Sequence, residues 1–379
     1  MKILHICNDY CGSKVHANLY RRLDALGVEQ TVYAYYRGGD AEGKNRFEGE
    51  RTRFVFRPIL KGRHRVLYHQ KIHAVYKDLM GIVTDVDYDL SHATTLFSDG
   101  PIAYRLWQER SVPYVVTVRN TDINQFLVVA PWAWSMGLKV LRHAQRIIFI
   151  SKAPMEKFCC HPVIKSVLQD IRNKFVIQPN GVDDYWLENV VKDVPKAGNH
   201  NIIYVGKFDV NKNVVRLIHA VLGLRDRYPD IKLHLVGGDG CREKKVLALV
   251  QKFPHHLEYH GKIYDKDVLR SQYAQCSIFA MPSIFETFGL VYIEALSQNL
   301  AVIYTKKQGI DGLLDERVGE KVNAMSTKNI QEAICKILVH RSDYLASEVV
   351  DFEKFRWERI AKEYIRIYKS IVELSKGIR

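Results

Sequence analysis

Short, almost unbroken apolar runs alternate with stretches of helical period along the whole chain. In the first half, Lys2–Cys7, Gln30–Tyr36, Tyr88–His92, Tyr114–Arg119, Arg146–Ile150 and Lys174–Gln178 predict strands. The intervening Lys14–Leu26, Val66–Met80, Ile102–Glu109 and Met136–His143 predict helices, with Pro101 and Pro113 as punctuation. The second half restarts the pattern, with strands expected at Asn201–Val205, Lys232–Val236, Leu257–His260, Ser277–Met281 and Ala301–Thr305. Helices are expected between them at Val214–Arg227, Lys245–Phe253, Val268–Gln275 and Leu290–Gln298. Strands that are apolar throughout and separated by helices predict parallel sheets covered on both faces, an α/β fold.

Periodicity lapses at Glu188–His200 (ENVVKDVPKAGNH), where Pro, Gly, Asn and charge gather. The expected organisation is therefore a doubly wound domain at 1–187, a linker at 188–200, a second doubly wound domain at 201–350 and a terminal helix at 351–379. Phe352, Phe355, Ile360, Ala361, Tyr364, Ile367, Tyr368 and Ile371 share one face of that helix. Two such domains in tandem predict an interdomain cleft at the carboxyl ends of their strands, where these sheets bind ligands. Architecture alone does not name the ligand.

The 379 residues carry 56 Lys+Arg against 42 Asp+Glu, a formal net charge of +14, and are 47% hydrophobic. That balance excludes a disordered or collagen-like chain. The best membrane-spanning candidate, 123–138, is uncharged but shorter than the roughly 18 residues required, and it contains Pro131. The start, MKILHICNDY, has too short an apolar core for a secretory signal. A soluble, cytoplasmic chain is the expectation. Seven cysteines without a C-x2-C pair or a compact Cys/His cluster predict reduced thiols and no metal site.

The positive charge is uneven. Between Arg51 and Lys77 lie eight basic residues and no acidic one, interleaved with Phe54, Phe56, Leu60, Val66, Leu67, Tyr68, Ile72, Val75 and Tyr76. Such a stretch suits an anionic membrane surface, where each basic residue is worth roughly 1 kcal/mol. It suits equally a phosphate-bearing substrate or nucleic acid, or a solvated helix face beside a basic loop.

The candidate chemistry is concentrated in Met281–Ala295, MPSIFETFGLVYIEA. A strand is expected to end at Met281, Glu286 to lie in a loop, and Phe288-Gly289-Leu290 to open a helix carrying Glu294. Gly289 allows backbone N–H groups close approach to a ligand, and a helix N-terminus favours phosphate. A helical path of eight residues separates two carboxylates by about 12 Å, so Glu286 and Glu294 address two ends of an elongated ligand. A second segment, Tyr204–Asn213 (YVGKFDVNKN), follows a strand, and its Lys207 and Lys212 can reach one diphosphate as point charges.

The run PSIFETFGLVYIEAL closely resembles the Glu-x7-Glu signature of glycosyltransferase family 4, retaining nucleotide-sugar transferases of GT-B fold with two Rossmann-like domains. The resemblance implies that Glu286 contacts the transferred sugar and Glu294 the nucleotide ribose. It implies that Thr287, Phe288, Gly289 and Leu290 hold the sugar and diphosphate through the backbone. YVGKFDVNKN resembles the family's Gly-Arg-x4-Lys-Gly, implying that Lys207 and Lys212 bind the donor diphosphate and act with Glu286 in catalysis. Lys207 stands where Arg is commoner, and Asn213 where Gly is usual. QPNGVD (178–183), LVGGDG (235–240) and Phe355-Arg-Trp357 resemble family turns and the opening of the last helix, which in this fold crosses back towards the first domain.

The first domain departs further from the family pattern. Where relatives place a glycine pair after the first strand, near the donor phosphates, Asn8–Ser13 offers only Gly12. Where many have Thr-x-His, Thr117-Val-Arg-Asn-Thr-Asp122 puts Arg119 at the His position and keeps Asp122. Arg119 either binds an acceptor carboxylate or phosphate, or pairs with Asp122. His92 either faces the acceptor side or is a satisfied core residue. The resemblance thus implies a hexose-type transfer from a UDP- or GDP-linked sugar to a glycan or lipid-linked acceptor, without a metal or other cofactor. A sugar-donor hydrolase or phosphorylase would share the donor residues. An oxidoreductase lacks its G-x-G-x-x-G turn here, and a nucleic-acid-binding protein would rest on charge alone.

Overall fold

The computed structural model describes residues 1–39, 41–83, 87–193 and 198–377. The chain divides into two compact units. Unit 1 comprises Met1–Ile150, Pro154–Gly181 and the chain from Trp357 onward, and unit 2 comprises Ser151–Ala153 and Val182–Arg356. The crossing points are Gly181/Val182 and Arg356/Trp357. The first is earlier than the linker expected at 188–200, part of which (194–197) lies outside the described residues. The reason is packing: Trp186 lies edge-on to Tyr273 at 5.5 Å, and Gln298 Nε2 donates to the Asn189 carbonyl at 3.0 Å. The segment after Gly181 is thereby part of unit 2.

Among its described residues unit 1 holds seven parallel strands: β1 (Lys2–Ile6), β2 (Glu29–Arg37), β3 (Thr52–Leu60), β4 (Leu90–Ala93), β5 (Tyr114–Val118), β6 (Arg146–Phe149) and β7 (Phe175–Ile177), in the order β3-β2-β1-β4-β5-β6-β7. Unit 2 repeats the plan with β8 (Asn201–Lys207), β9 (Lys232–Gly238), β10 (Leu257–Gly261), β11 (Ile278–Ala280), β12 (Ala301–Thr305) and β13 (Gly319–Val322), ordered β10-β9-β8-β11-β12-β13. Both are the doubly wound sheets the alternating pattern predicts. In each, strand order reverses beside the first strand, between β1 and β4 or between β8 and β11. Two strands escape sequence reading. β3 carries Arg53, Arg57 and Pro58 and reads as a basic loop, and it tolerates them because it is an edge strand. β13, GEKV, is short and lies at the opposite type of edge, in unit 2.

Alternation along each strand of unit 1 feeds two cores. Leu4, Ile6, Tyr33, Tyr35 and Val116 face one side, and Ile3, Val32, Ala34, Val115 and Ile148 the other. The second face is closed by the helix Trp357–Gly377, which buries Trp357, Ile360, Ala361, Tyr364, Tyr368 and Ile371 there and packs beside the helix Lys14–Ala25. Trp357 lies flat against the backbone at Gly181, where a Cβ would meet the indole at 2.3 Å. That contact explains why the turn Asn180-Gly181-Val182 carries glycine. None of the seven cysteines is paired. No helix among the described residues is long and apolar enough to cross a membrane.

The Gly181→Ala variant is expected to lose about 1–3 kcal/mol of stability, because the added methyl forces the indole or the turn to move. Urea denaturation followed by indole fluorescence measures this, and an unchanged midpoint would show that the ring is free to yield.

Candidate active site

In unit 2 the strand-order reversal lies between β8 and β11, and two loops leave that point side by side, 208–213 after β8 and 281–289 after β11. Crevices at such switch points are where open parallel sheets hold ligands. Hydrogen bonds fasten the two loops together. The Ile284 N–H donates to the Asn211 carbonyl at 2.7 Å. The Asn211 side chain donates to the Phe285 carbonyl at 2.9 Å and accepts from the Phe285 N–H at 3.0 Å. Asn213, at φ 59, adopts the left-handed conformation that glycine enters freely and asparagine more readily than most other residues. Asn therefore serves where Gly is usual. Its buried amide also donates to the Pro282 carbonyl at 3.1 Å and the Ala324 carbonyl at 2.7 Å.

This fastening sets Lys212 against Glu286. Nζ and Oε2 are 2.7 Å apart, with the side chains 25% and 12% exposed. Asp209 accepts the Lys212 N–H at 2.7 Å and shapes the turn that presents the lysine. Glu286 is held on every side. Its Oε1 accepts the Thr287 N–H at 3.1 Å, its N–H donates to Gln308 Oε1 at 3.2 Å, and its carbonyl accepts the Gly309 N–H at 3.0 Å. Lys207, at the end of β8, is exposed, and no carboxylate lies within 4 Å of its ammonium among the described residues. The two loops thus carry two lysines, Lys207 and Lys212, and two carboxylates, Asp209 and Glu286, with the Lys207 ammonium the one that no carboxylate approaches within 4 Å among the described residues.

The glutamate loop runs into the helix Leu290–Ser297. Gly289 stands at φ 79, where a Cβ would strike the Tyr292 ring at 2.5 Å. Phe288 is buried, its ring 5.9 Å from that of Phe355. The N–H groups of Phe288 and Gly289 donate to no acceptor among the described residues, and Leu290 opens the helix. Free amides at a helix N-terminus are an anion site. Glu294 lies one turn further along the helix. Burial, with Asp183 nearby, pushes its pKa up to about 7, and Lys266 opposes the shift. Lys266 is itself engaged by Asp183 at 2.6 Å.

Unit 1 places its expected residues differently. Gly12 sits in the loop after β1, donating its N–H to the Asp9 carbonyl at 3.0 Å, and a Cβ there would press on the Asp9 carboxylate at 2.5 Å. Ser13 caps the following helix. His92 is no acceptor-facing group: it is buried, Nδ1 bonds the Tyr368 hydroxyl at 2.7 Å and Nε2 the Thr117 hydroxyl at 2.9 Å. Both nitrogens are thus used in the core, and burial holds the ring neutral. Asp122 is also fully buried, accepting the N–H groups of Leu96, Phe97 and Arg119 at 3.0, 3.0 and 2.8 Å. It is a backbone clamp rather than a ligand group. Arg119 meets Asp122 through the backbone, its N–H donating to the carboxylate at 2.8 Å and its carbonyl accepting the Asp122 N–H at 3.1 Å, and its guanidinium Nε donates to the Thr94 carbonyl at 3.3 Å. Of the three, only Arg119 keeps polar atoms for an incoming anion.

Sequence reading missed Asp99, Asp209, Asn211 and Gln308. Asp99 is buried and accepts from the hydroxyls of Tyr35 (2.7 Å), Thr94 (2.8 Å) and Thr95 (2.9 Å) and from the Asn8 N–H (3.2 Å), binding the ends of β1 and β4. Its N-terminal position before the helix Gly100–Arg110 was the available signal. One further cluster was invisible in sequence: His234 on β9 with Glu258 and His260 on β10. The facing nitrogens of His234 and His260 are 3.0 Å apart, and Lys232 holds Glu258 at 3.1 Å. Burial lowers the His234 pKa to about 4, so this is a hydrogen bond between neutral rings beside an already paired carboxylate.

Comparison with known proteins agrees with the fold. The family profile described as Glycosyltransferase Family 4 matches residues 12–185, and that described as Glycosyl transferases group 1 matches 199–340. An uncharacterised glycosyltransferase of Methanocaldococcus jannaschii is 25% identical over 305 residues, covering 78% of this chain and 79% of the relative. The sucrose-phosphate synthase of Thermosynechococcus elongatus superposes with a TM-score of 0.73 at 19% identity, over 98% of this chain and 99% of that one. Anabaena HepE, solved in complex with UDP, gives 0.71 at 16% identity, over 98% and 100%. With both halves matched by family profiles and both sheets of the expected topology, the chain is a glycosyltransferase of the family 4 type, with the GT-B fold.

Proposed function

We infer that the enzyme transfers a hexose-type sugar from a nucleoside diphosphate donor, UDP- or GDP-linked, to an acceptor hydroxyl with retention of configuration, in polysaccharide or glycoconjugate synthesis. The observation that carries this reading is the Lys212–Glu286 pair at 2.7 Å, beside the unoccupied amides of Phe288 and Gly289. A diphosphate there would meet Lys207, Lys212 and the helix N-terminus. Departure of the nucleoside diphosphate develops negative charge on the phosphate, and preorganised cations stabilise it without a divalent metal. Lys212 would exchange its carboxylate partner for the phosphate, freeing Glu286 to accept hydroxyls of the transferred sugar. Glu294 would take the ribose hydroxyls. Retention is assigned to a front-face route, in which the leaving phosphate oxygen receives the acceptor proton as the new glycosidic bond forms on the same side. A structure of this fold solved with UDP supports the donor class. The acceptor is proposed to be a glycan or a lipid-linked intermediate.

The donor reading is tested by thermal unfolding with UDP, GDP, ADP, TDP and CDP, each with and without Mg²⁺. Ligand at about 100 times its Kd adds roughly 2.7 kcal/mol of stability. One diphosphate should raise Tm equally in both conditions. No response to any would remove the donor assignment, and a response only with Mg²⁺ would overturn the metal-independent one. A product carrying the sugar on water or phosphate instead of a hydroxyl acceptor would favour the hydrolase or phosphorylase reading.

Lys212→Ala removes a charge that acts on the departing diphosphate, so kcat should fall on the order of 10²-fold. Glu286→Ala should mainly lower kcat and Glu294→Ala mainly raise the donor KM. Small, equal effects on both constants from the two glutamate variants would contradict their assigned roles.

Glu294 also predicts a pH dependence. Its folded-state pKa, raised to about 7, favours the protonated acid, so its contribution to the ligand-free fold is greatest at low pH and is lost as pH rises through 7. Ribose hydroxyls require the carboxylate, so nucleotide affinity should move the opposite way, rising about tenfold between about pH 6 and about pH 8. Calorimetric titration with the diphosphate measures this, and Glu294→Gln should flatten the profile. An unchanged slope in that variant would assign the titration to another group.

A further inference from the structure

The basic stretch at 51–77 separates, in three dimensions, into core and surface. Phe54 and Phe56 pack around Tyr10 and Phe47, and Ile72, Val75 and Tyr76 are buried beneath the helix Tyr68–Met80. What stays outside is its turn: Val66 is 76% exposed and Leu67 41%, with Lys61, Arg63 and Arg65 exposed around them. A second segment lies against it. Tyr68 donates to the Phe97 carbonyl at 2.9 Å, and Phe97 stacks on Phe126 at 5.1 Å. Just beyond Phe126, Val128 and Val129 are each 64% exposed and Trp132 is 54% exposed. Five of the chain's exposed large apolar side chains thus come from two neighbouring turns. Such a cluster costs solubility in a monomer and marks an interaction surface.

Between the turns is a cavity of about 200 Å³ lined by His64, Arg65, Tyr68, Lys71, Val129 and Trp132 among others. Lys71 donates to the Ser98 hydroxyl at 2.9 Å, and no carboxylate among the described residues lies within 4 Å of its ammonium. One acceptor for three N–H donors leaves capacity for an anion. The buried carboxylates Asp99 and Asp122 act on the Lys71 charge from beyond hydrogen-bond distance, while the two flanking stretches, 51–77 and 123–155, contain no Asp or Glu at all.

We propose that this face of unit 1 docks on an anionic lipid bilayer, with Val66, Leu67, Val128, Val129 and Trp132 entering the headgroup region and the Lys71 cavity taking a lipid phosphate. The charge is complementary to such a surface, and an exposed Trp beside aliphatic side chains suits an interface that is apolar on one side and wet on the other. A nucleic acid would match the charge but not the protruding valines. The proposal deepens the acceptor side of the transferase reading, since a lipid-linked acceptor is met at such a surface, and it is independent of the donor residues.

Flotation of the full chain with phosphatidylcholine vesicles, and with vesicles that also contain phosphatidylglycerol, tests it. The protein should float only with the anionic vesicles at about 0.1 M salt, and less at about 0.5 M, where surface charge is screened. Val129→Asp combined with Trp132→Ser should lower bound protein at least tenfold, and Lys71→Met should lower it severalfold. Both variants should keep the nucleoside diphosphate Tm shift of the unaltered protein, which also reports that they fold. No flotation, undiminished flotation of the double variant, or binding to RNA in place of vesicles would overturn the proposal. A Tm shift without flotation overturns the docking face alone, and flotation without a Tm response to any diphosphate overturns the donor reading alone.

Discussion

In a parallel sheet every strand delivers its following loop to the same edge, and only where the winding direction reverses do two adjacent loops diverge enough to leave room for a ligand. The site in unit 2 depends on that constraint. β8 and β11 are neighbours in the sheet but 70 residues apart in sequence, and their exits carry Lys207, Lys212 and Glu286. The loops are short, so their chemistry is fixed by backbone conformation. Asn213 at φ 59 turns the first loop back on the second, and Gly289 at φ 79 turns the second into a helix. Gly237, whose Cβ would lie 1.9 Å from the Gly206 carbonyl, keeps β9 tight against β8 at the same edge.

Electrostatics then divides the work between the units. In unit 2 the partly buried ammonium of Lys212 has an acidic partner in Glu286, and Lys207 has none within 4 Å among the described residues. In unit 1 the two buried carboxylates at the strand ends are already saturated. Asp99 holds three hydroxyls and an amide, and Asp122 three amides. Burial pushes both pKa values up to about 6, against the hydrogen bonds that favour the ionised forms. Such groups stiffen the loops that carry Arg119 and the turns around Phe97 and Phe126.

Much of this was legible before folding. The alternation of apolar runs with helical stretches announced two doubly wound sheets, and among the described residues eleven of the thirteen strands fall where that pattern puts them. The two that escaped are edge strands, where one side faces solvent and the hydrophobic signal is weakest. Glu286, Glu294, Lys207 and Lys212 stood out because their spacing matches a signature. His92 drew attention as a polar residue at a strand end and Asp122 as the acid of a family pattern, yet neither signal distinguishes a group that meets a ligand from one that satisfies the core or the backbone. Asn211 and Gln308, which hold the glutamate loop, have no signature because their partners are 74 and 22 residues away.

By itself the sequence determined the class of fold, the family and the residue types in the loops after β8 and β11, because periodicity and motif spacing are properties of a linear chain. Tertiary structure decided which of those residues meet. It paired Lys212 with Glu286, consumed both nitrogens of His92 in the core, and drew Arg65 and Tyr68 beside Val129 and Trp132 from a distance of some sixty residues. Those outcomes turn on packing and on where each polar atom finds its partner, and such partners are set by contacts between segments that no local pattern encodes.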